Sequence, residues 1–166
     1  MKKKILKALA RCGVLEHSKA IQLLKATEDD LSKLEKSGKI SRIIEMVNGK
    51  AIDYYVLTEV GEEFLKETYL DFGEIYRGFI LNHDLVLSDY YLNRTEEEQE
   101  TWQTRDDMIK KYKLQGTLDG AYINENGEFQ GVEVLKTTAK KEVVERLEKF
   151  ISSVGIQQMH YILYNK

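Results

Sequence analysis

Apolar positions in the first third of the chain recur at helical spacing in three consecutive segments. The first predicted helix covers residues 3–11 and ends at Gly13. The second begins at Ser18, a residue type that caps helix N-termini. The third follows Thr27 and stops at Gly38. The apolar positions that define these helices are Ile5, Leu6, Leu9, Ala10, Ala20, Ile21, Leu23, Leu24, Leu31 and Leu34.

A strand hairpin is predicted directly after the third helix. Residues 39–46 and 51–57 are rich in β-branched and aromatic side chains. Between them, Asn48 and Gly49 favour a type I′ turn, because both central residues of that turn need positive φ. Thr58 is then predicted to cap a fourth helix. Three helices, a hairpin and a helix are the order of a winged helix-turn-helix domain, which we predict over residues 1–70.

The remaining residues, 71–166, predict a small α/β domain. Residues 72–93 contain apolar and aromatic side chains at helical spacing and predict one long connecting helix. Further on, strands at 117–123 and 129–135 form a hairpin, a helix covers 138–151, and a last strand covers 159–164. The expected fold class is therefore α+β, with the winged helix-turn-helix domain first.

Composition places the chain among globular proteins, with 42% hydrophobic and 32% charged residues. The charges are unevenly distributed: residues 1–50 hold 12 Lys/Arg and 6 Asp/Glu, and residues 51–166 hold 13 and 22. This asymmetry favours a basic binding surface near the N-terminus, with a mixed, solvated surface as the alternative. Cys12 is the only cysteine, which excludes an internal disulfide and indicates a buried thiol in a cytoplasmic protein. No apolar run reaches the roughly 18 residues of a membrane span, so no membrane partner is expected.

In a winged helix-turn-helix domain the third helix enters the major groove and the hairpin, or wing, touches the adjacent backbone. Ser32 and Lys33 are predicted to read bases, with Gln22 a weaker candidate. Cations on the helix, the strand and the wing tip are predicted to neutralise phosphates, which makes affinity sensitive to salt. The predicted DNA-binding residues are Ser32, Lys33, Lys36, Lys39, Arg42 and Lys50.

The first turn of the third helix is acidic. Glu28, Asp29 and Asp30 suit the positive end of the helix dipole, but they would repel phosphate if they faced the groove. A winged helix that contacts another protein therefore remains an alternative to DNA binding. The acidic segment at 95–98 is predicted to be either a helix turn or an exposed loop.

Several short motifs carry a family resemblance. Residues 34–40 (LEKSGKI) and 55–61 (YVLTEVG) resemble winged-helix domains in general. Followed by 81–85 (LNHDL), 118–122 (LDGAY) and 131–134 (GVEV), they resemble the replication-relaxation proteins of plasmids and integrative elements. The resemblance implies a DNA-binding winged helix and a restriction-endonuclease-like C-terminal half. It also implies an accessory role in replication, transfer or transcription control of a mobile element. We expect double-stranded DNA and a second copy of the chain as partners.

The nuclease pattern needs an Asp at the end of one strand and an acidic residue plus Lys on the next, so that carboxylates hold Mg²⁺ and the lysine assists water. Asp119 and Glu133 match the carboxylates, whereas Leu118 replaces the usual proline. Lys136 falls one place beyond the expected position, which turns it to the opposite strand face. Lys140 or Lys141 on the following helix could substitute for it.

Three functions follow from the sequence. The first is a non-catalytic, sequence-specific DNA-binding protein without cofactor or metal, in which Asp119 and Glu133 are remnants on a scaffold for binding or dimerisation. The second is a nuclease that needs Mg²⁺, and the third is a protein-interaction module. His83 is a candidate metal ligand, with a hydrogen-bonded structural histidine as the favoured alternative.

Overall fold

A computed structural model of the chain describes residues 1–69, 72–78, 80–113, 117–138 and 141–164. The chain forms two compact units, Met1–Asn93 and Arg94–Lys166. Each unit combines helices with its own sheet, so the molecule is mixed α and β, as predicted. Lys140, named above, lies outside the described residues, as does the side chain of Lys141.

The first unit follows the predicted order of helices and hairpin. Its elements are α1 (Lys2–Cys12), β1 (Val14–Glu16), α2 (His17–Gln22), α3 (Glu28–Lys36), β2 (Ile40–Val47), β3 (Lys50–Leu57), α4 (Glu59–Thr68) and α5 (Leu81–Leu92). The strands form an antiparallel sheet in the order β1-β3-β2. Asn48 and Gly49 have φ values of 51° and 78°, which confirms the predicted turn. The short strand β1 was not predicted, because three residues are too few to show a period.

The core of the first unit lies between the sheet and the helices. Its fully buried members come from α1, β1, α3, β3 and α4 and include Ile5, Leu6, Leu9, Leu15, Leu31, Tyr55 and Leu65. Cys12 is also fully buried, as expected, and burial raises the pKa of its thiol.

The predicted connecting helix over residues 72–93 is wrong in its first half. Helix α5 starts at Leu81, and residues 72–78 have no regular secondary structure. Gly73 takes a φ of 84°, and the Tyr76 amide donates to the Ala10 carbonyl of α1 at 2.9 Å. Arg11 donates to the Phe72 carbonyl at 2.6 Å. Backbone bonds to α1 therefore replace the intrahelical bonds that the apolar spacing had suggested.

The second unit contains the four-stranded sheet. Its elements are α6 (Glu96–Glu100), β4 (Gln103–Thr104), α7 (Arg105–Tyr112), β5 (Gly120–Ile123), β6 (Phe129–Lys136), α8 (Lys141–Val154) and β7 (Gln158–Tyr164). The strand order is β4-β5-β6-β7, antiparallel except for the parallel pair β6–β7, which α8 connects. One core cluster comprises Met108, Leu118, Ala121, Leu147, Phe150 and Ile156. The acidic segment at 95–98 forms the start of α6, where Thr95 and Glu98 make a capping box. Of its two predicted alternatives, the helix turn is therefore observed.

Candidate nucleic-acid interface and carboxylate pair

Two of the predicted DNA-binding lysines line one cleft in the first unit. The cleft has a volume of about 220 Å³, and Lys33 and Lys39 share it with Lys2 and Lys3 from the start of α1. We call it the lysine cleft. Its other lining residues are Leu6, Leu34, Ser37, Phe64 and Tyr69. Four cations thus surround a partly apolar and aromatic floor.

Aromatic rings and one carboxylate contact three of the four ammonium groups of this cleft. Lys39 Nζ lies 4.5 Å from the centre of the Phe64 ring, and Lys3 Nζ lies 4.7 Å from that of Tyr69. Lys33 Nζ donates to Asp29 Oδ2 at 2.5 Å, and this hydrogen bond raises the pKa of Lys33. Lys3 and Lys39 are thus positioned by rings, and neither forms an ion pair with an acid of the described residues. Lys33 is in an exposed ion pair of the kind that contributes little to stability.

Arg42, by contrast, pairs with Asp53 on the neighbouring strand. Its Nε and one terminal nitrogen donate to the two Asp53 oxygens at 2.9 and 2.6 Å. The hydrogen bond to Asp53 raises the pKa of Arg42 and lowers the pKa of Asp53. The Arg42 guanidinium is thereby neutralised locally.

The remaining predicted contacts lie outside the lysine cleft. Lys50 lines a different groove of about 610 Å³, beside Glu16, His17, Asp53 and the hairpin. Lys36 is exposed near the C-terminal end of α3, and Ser32 is half-buried. The structure therefore brings together Lys33 and Lys39, but it does not place all six residues along one cleft.

The acidic first turn of α3 has structural partners. Thr27 and Asp30 form a reciprocal capping box, and the hydrogen bond from Thr27 lowers the pKa of Asp30. Glu28 Oε1 lies 3.0 Å from His17 Nε2, while His17 Nδ1 is 2.9 Å from the Tyr55 hydroxyl. Burial raises the pKa of Tyr55 to about 12. Glu28 thus links α3 to α2, whereas Asp29 and Asp30 have their partners within α3 and its N-cap.

In the second unit, Asp119 and Glu133 meet on adjoining chain segments, as the sequence predicted. Both side chains are buried. Glu133 Oε2 accepts a hydrogen bond from the Asp119 amide at 3.1 Å, and Asp119 Oδ2 accepts one from the Val134 amide at 2.8 Å. Each carboxylate thus accepts from a backbone amide at or next to the other residue, and carboxylate oxygens are ligands that Mg²⁺ prefers.

Lys136 does not join this pair. Along β6, Glu133 shares a face with Gly131, which packs on Leu118 and Ile156. Residue 136 falls on the opposite face by strand alternation, as the sequence indicated. Among the described residues, no group of three or more His, Cys, Asp and Glu side chains could hold a metal ion. Asp119 and Glu133 offer oxygen ligands for a weak cation site, but Lys136 lies on the other face of β6.

His83 takes part in a buried hydrogen-bonded cluster. Its Nδ1 lies 3.0 Å from Asp84 Oδ1, and the Tyr76 hydroxyl donates to the same oxygen at 2.9 Å. Asp84 is buried at the start of α5. This geometry agrees with the interpretation of His83 as a hydrogen-bonded structural histidine.

The sequence did not point to Lys2, Lys3, Phe64 or Tyr69 as parts of a site. The lysines stand out as a basic N-terminus, and the aromatic residues flank the end of α4. Only the packing of α1 against α3 and α4 brings them together. A helix-pairing prediction would have been needed to find the lysine cleft.

Comparison with known proteins gives no relative: no protein-family model matches the chain, and no curated protein or solved structure matches it. In the part of the chain that the structure describes, no helix has both the length and the apolar character required to cross a bilayer.

Proposed function

We propose that the first unit is a winged helix-turn-helix domain that binds double-stranded DNA. In this proposal the chain is a non-catalytic accessory or regulatory protein of a mobile element, consistent with the replication-relaxation resemblance. The observation that carries it is the arrangement of α3 immediately before an antiparallel hairpin, in a sheet of order β1-β3-β2. This order of elements is typical of winged-helix domains, whose third helix and wing contact DNA together.

The lysine cleft and Lys36 are the proposed phosphate contacts. Asp29 and Glu28 occupy the first turn of α3, where they would repel a phosphate, so contact is assigned to the C-terminal half of that helix. Lys36 is exposed there, and Lys33 and Lys39 lie beside it in sequence along the cleft. A phosphate can replace Asp29 as the partner of Lys33, because an exposed ion pair is weak.

A salt titration of DNA affinity tests this proposal. Fluorescence anisotropy with a duplex from the region upstream of the protein's own gene should show affinity that falls as salt rises. Lys36→Gln and Lys39→Gln should each flatten the plot of log affinity against log salt by about 0.9. Lys149→Gln, which removes the same charge from α8 in the second unit, is the matched control and should leave the slope unchanged.

Absence of binding at low salt would contradict the proposal. So would a slope of log affinity against log salt that Lys36→Gln and Lys39→Gln both share with the parent protein. If all three variants flatten the slope equally, the contact depends on total charge and not on the lysine cleft.

A second candidate function, a metal-dependent nuclease, is favoured by the contact between Asp119 and Glu133. These carboxylates would hold Mg²⁺, which supplies an activated water for phosphodiester hydrolysis when bound. The position of Lys136 on the other face of β6 argues against it. Supercoiled DNA incubated with Mg²⁺ or Mn²⁺ should be cleaved by the parent and by Glu125→Gln, but not by Asp119→Asn, if this function holds.

Metal binding can be tested without activity. Mn²⁺ should raise the Tm of the parent and of Glu125→Gln, but not of Asp119→Asn, if the carboxylate pair binds a cation. Asn at position 119 keeps an acceptor for the Val134 amide, so the fold is preserved. Equal Tm shifts in all three proteins would exclude this site.

A further inference from the structure

Strand β7 forms one edge of the second sheet. Within the described residues, it pairs with β6 on one side and has no strand partner on the other. It spans seven residues, Gln158–Tyr164, and none of them is charged at neutral pH with His160 neutral. The side chains of Tyr161 and Leu163 are 44% and 62% exposed.

The other strand edges of the described sheets carry features that prevent pairing with a further strand. β1 and β4 have only three and two residues. β2 has eight residues but carries Arg42 and Glu45, both exposed. Short length and edge charges are the usual devices that block edge-to-edge association. β7 is long, uncharged and free of proline, so it lacks all of them.

The side-chain pattern of β7 is complementary to itself. Met159, Tyr161 and Leu163 lie on one face of the strand, because alternate residues share a face. In an antiparallel pair of two β7 strands centred on Tyr161, Tyr161 faces Tyr161 of the partner subunit. Met159 then faces Leu163 of the partner subunit. The two most exposed apolar side chains of the strand are both covered in this register.

We propose that β7 pairs with β7 of a second copy of this chain, in antiparallel register about a twofold axis at Tyr161. Each copy contributes the same surface, so the contact is isologous and closes as a dimer. Backbone groups on the outer edge of β7 then form hydrogen bonds across the twofold axis, and the two four-stranded sheets join as one. The proposal does not depend on DNA binding, since it uses only the second unit.

Sedimentation analysis of the full chain across two decades of concentration tests the proposed interface. The parent protein should sediment as a reversible dimer. Tyr161→Lys places like charges directly opposite each other and should raise the dimer Kd by about tenfold or more. Leu163→Lys should raise it less, because the new charge faces Met159 of the partner subunit. Ile109→Lys on α7, at a side chain 44% exposed, is the matched control and should leave the Kd unchanged.

Hydrogen exchange gives a second measurement that does not require the variants to fold. The backbone amides of β7 should become more protected as the parent concentration rises, while those of β2 should not. A parent protein that is monomeric throughout overturns the proposal. So does a dimer whose Kd is unchanged in both β7 variants, or concentration-independent exchange of β7.

Discussion

At the residue scale, Arg42 lies in the proposed DNA-binding region, but its guanidinium donors are already paired with a carboxylate. Both Asp53 oxygens accept from its guanidinium, at 2.9 and 2.6 Å. A bidentate pair of this kind matches the geometry that a phosphate would offer, so the carboxylate competes with the ligand for the same donors. Asp53 is therefore expected to weaken binding through this side chain.

Asp53→Asn should tighten DNA binding at low salt. The change removes the competing charge and leaves Arg42 able to contact a phosphate, which should steepen the salt dependence by about 0.9. Anisotropy titrations of the parent and the variant measure this difference. Glu63→Gln, an equal change of charge at an exposed position of α4, is the control. Equal gains in both variants would trace the effect to net charge, and no gain in Asp53→Asn would place Arg42 outside the interface.

At the scale of elements, local signals in the sequence predicted the hairpin and the starts of α3 and α4. The predicted cap of the second helix is wrong, because α2 begins at His17, before Ser18, with Glu16 as its N-cap. Asn48 and Gly49 adopt the positive φ values that their residue types favour, and Thr27 caps α3 as expected. The start of α4 at Thr58 also has a local cause. The Thr58 hydroxyl accepts from the Gly61 amide at 3.1 Å, three residues along the chain. Such features depend on neighbours in sequence, so a pattern can reveal them.

Features that depend on tertiary contacts were not predictable in the same way. Residues 72–78 have helical spacing of apolar side chains, but their backbone groups form hydrogen bonds with α1 instead. The lysine cleft needs α1, α3 and α4 to meet, and the pairing of Arg42 with Asp53 needs the exact register of β2 on β3. Asp119 and Glu133 were predictable because a short hairpin brings them together.

The capping box of α3 gives a prediction that depends on pH. Thr27→Ala should lower the free energy of unfolding at neutral pH by about 1 kcal/mol, because the N-terminal amides of the helix lose an acceptor. Thr27→Ser keeps the hydroxyl and is the control. Urea unfolding followed by circular dichroism measures both variants.

The sign of the pH effect follows from Asp30. The hydrogen bond from Thr27 lowers the pKa of Asp30, so its stabilising effect is present above the ordinary aspartate pKa of about 3.9. That effect is lost as pH falls through the lower folded-state pKa. The difference between parent and Thr27→Ala should therefore narrow in acid. A difference that stays constant or widens would contradict a role for the ionised Asp30.

At the scale of the whole molecule, an excess of positive over negative charge is confined to the first 50 residues. Residues 1–50 carry 12 Lys/Arg and 6 Asp/Glu, but residues 51–93 of the same unit add only 2 Lys/Arg against 9 Asp/Glu. The first unit as a whole is thus not basic, and long-range attraction to DNA is expected to be modest. Any affinity for DNA must come from local contacts such as those of the lysine cleft and from base reading.

The two units have separate cores, and this predicts separate unfolding. Leu9 is fully buried in the first unit and Leu147 in the second. Trp102, the only tryptophan, is buried in the second unit and stacks on Tyr122 with ring centres 5.8 Å apart. Its fluorescence therefore reports on the second unit, whereas circular dichroism reports on the helices of both.

Leu9→Ala should destabilise the first unit by about 2–5 kcal/mol and leave the Trp102 fluorescence transition unchanged. Leu147→Ala should shift the fluorescence transition by a similar free energy and leave a second transition, seen only by circular dichroism, in place. Chemical unfolding recorded with both signals on the same samples measures this. If either variant moves both transitions together, the two cores unfold as one cooperative structure, because cooperative unfolding requires that loss of one core removes stability from the other.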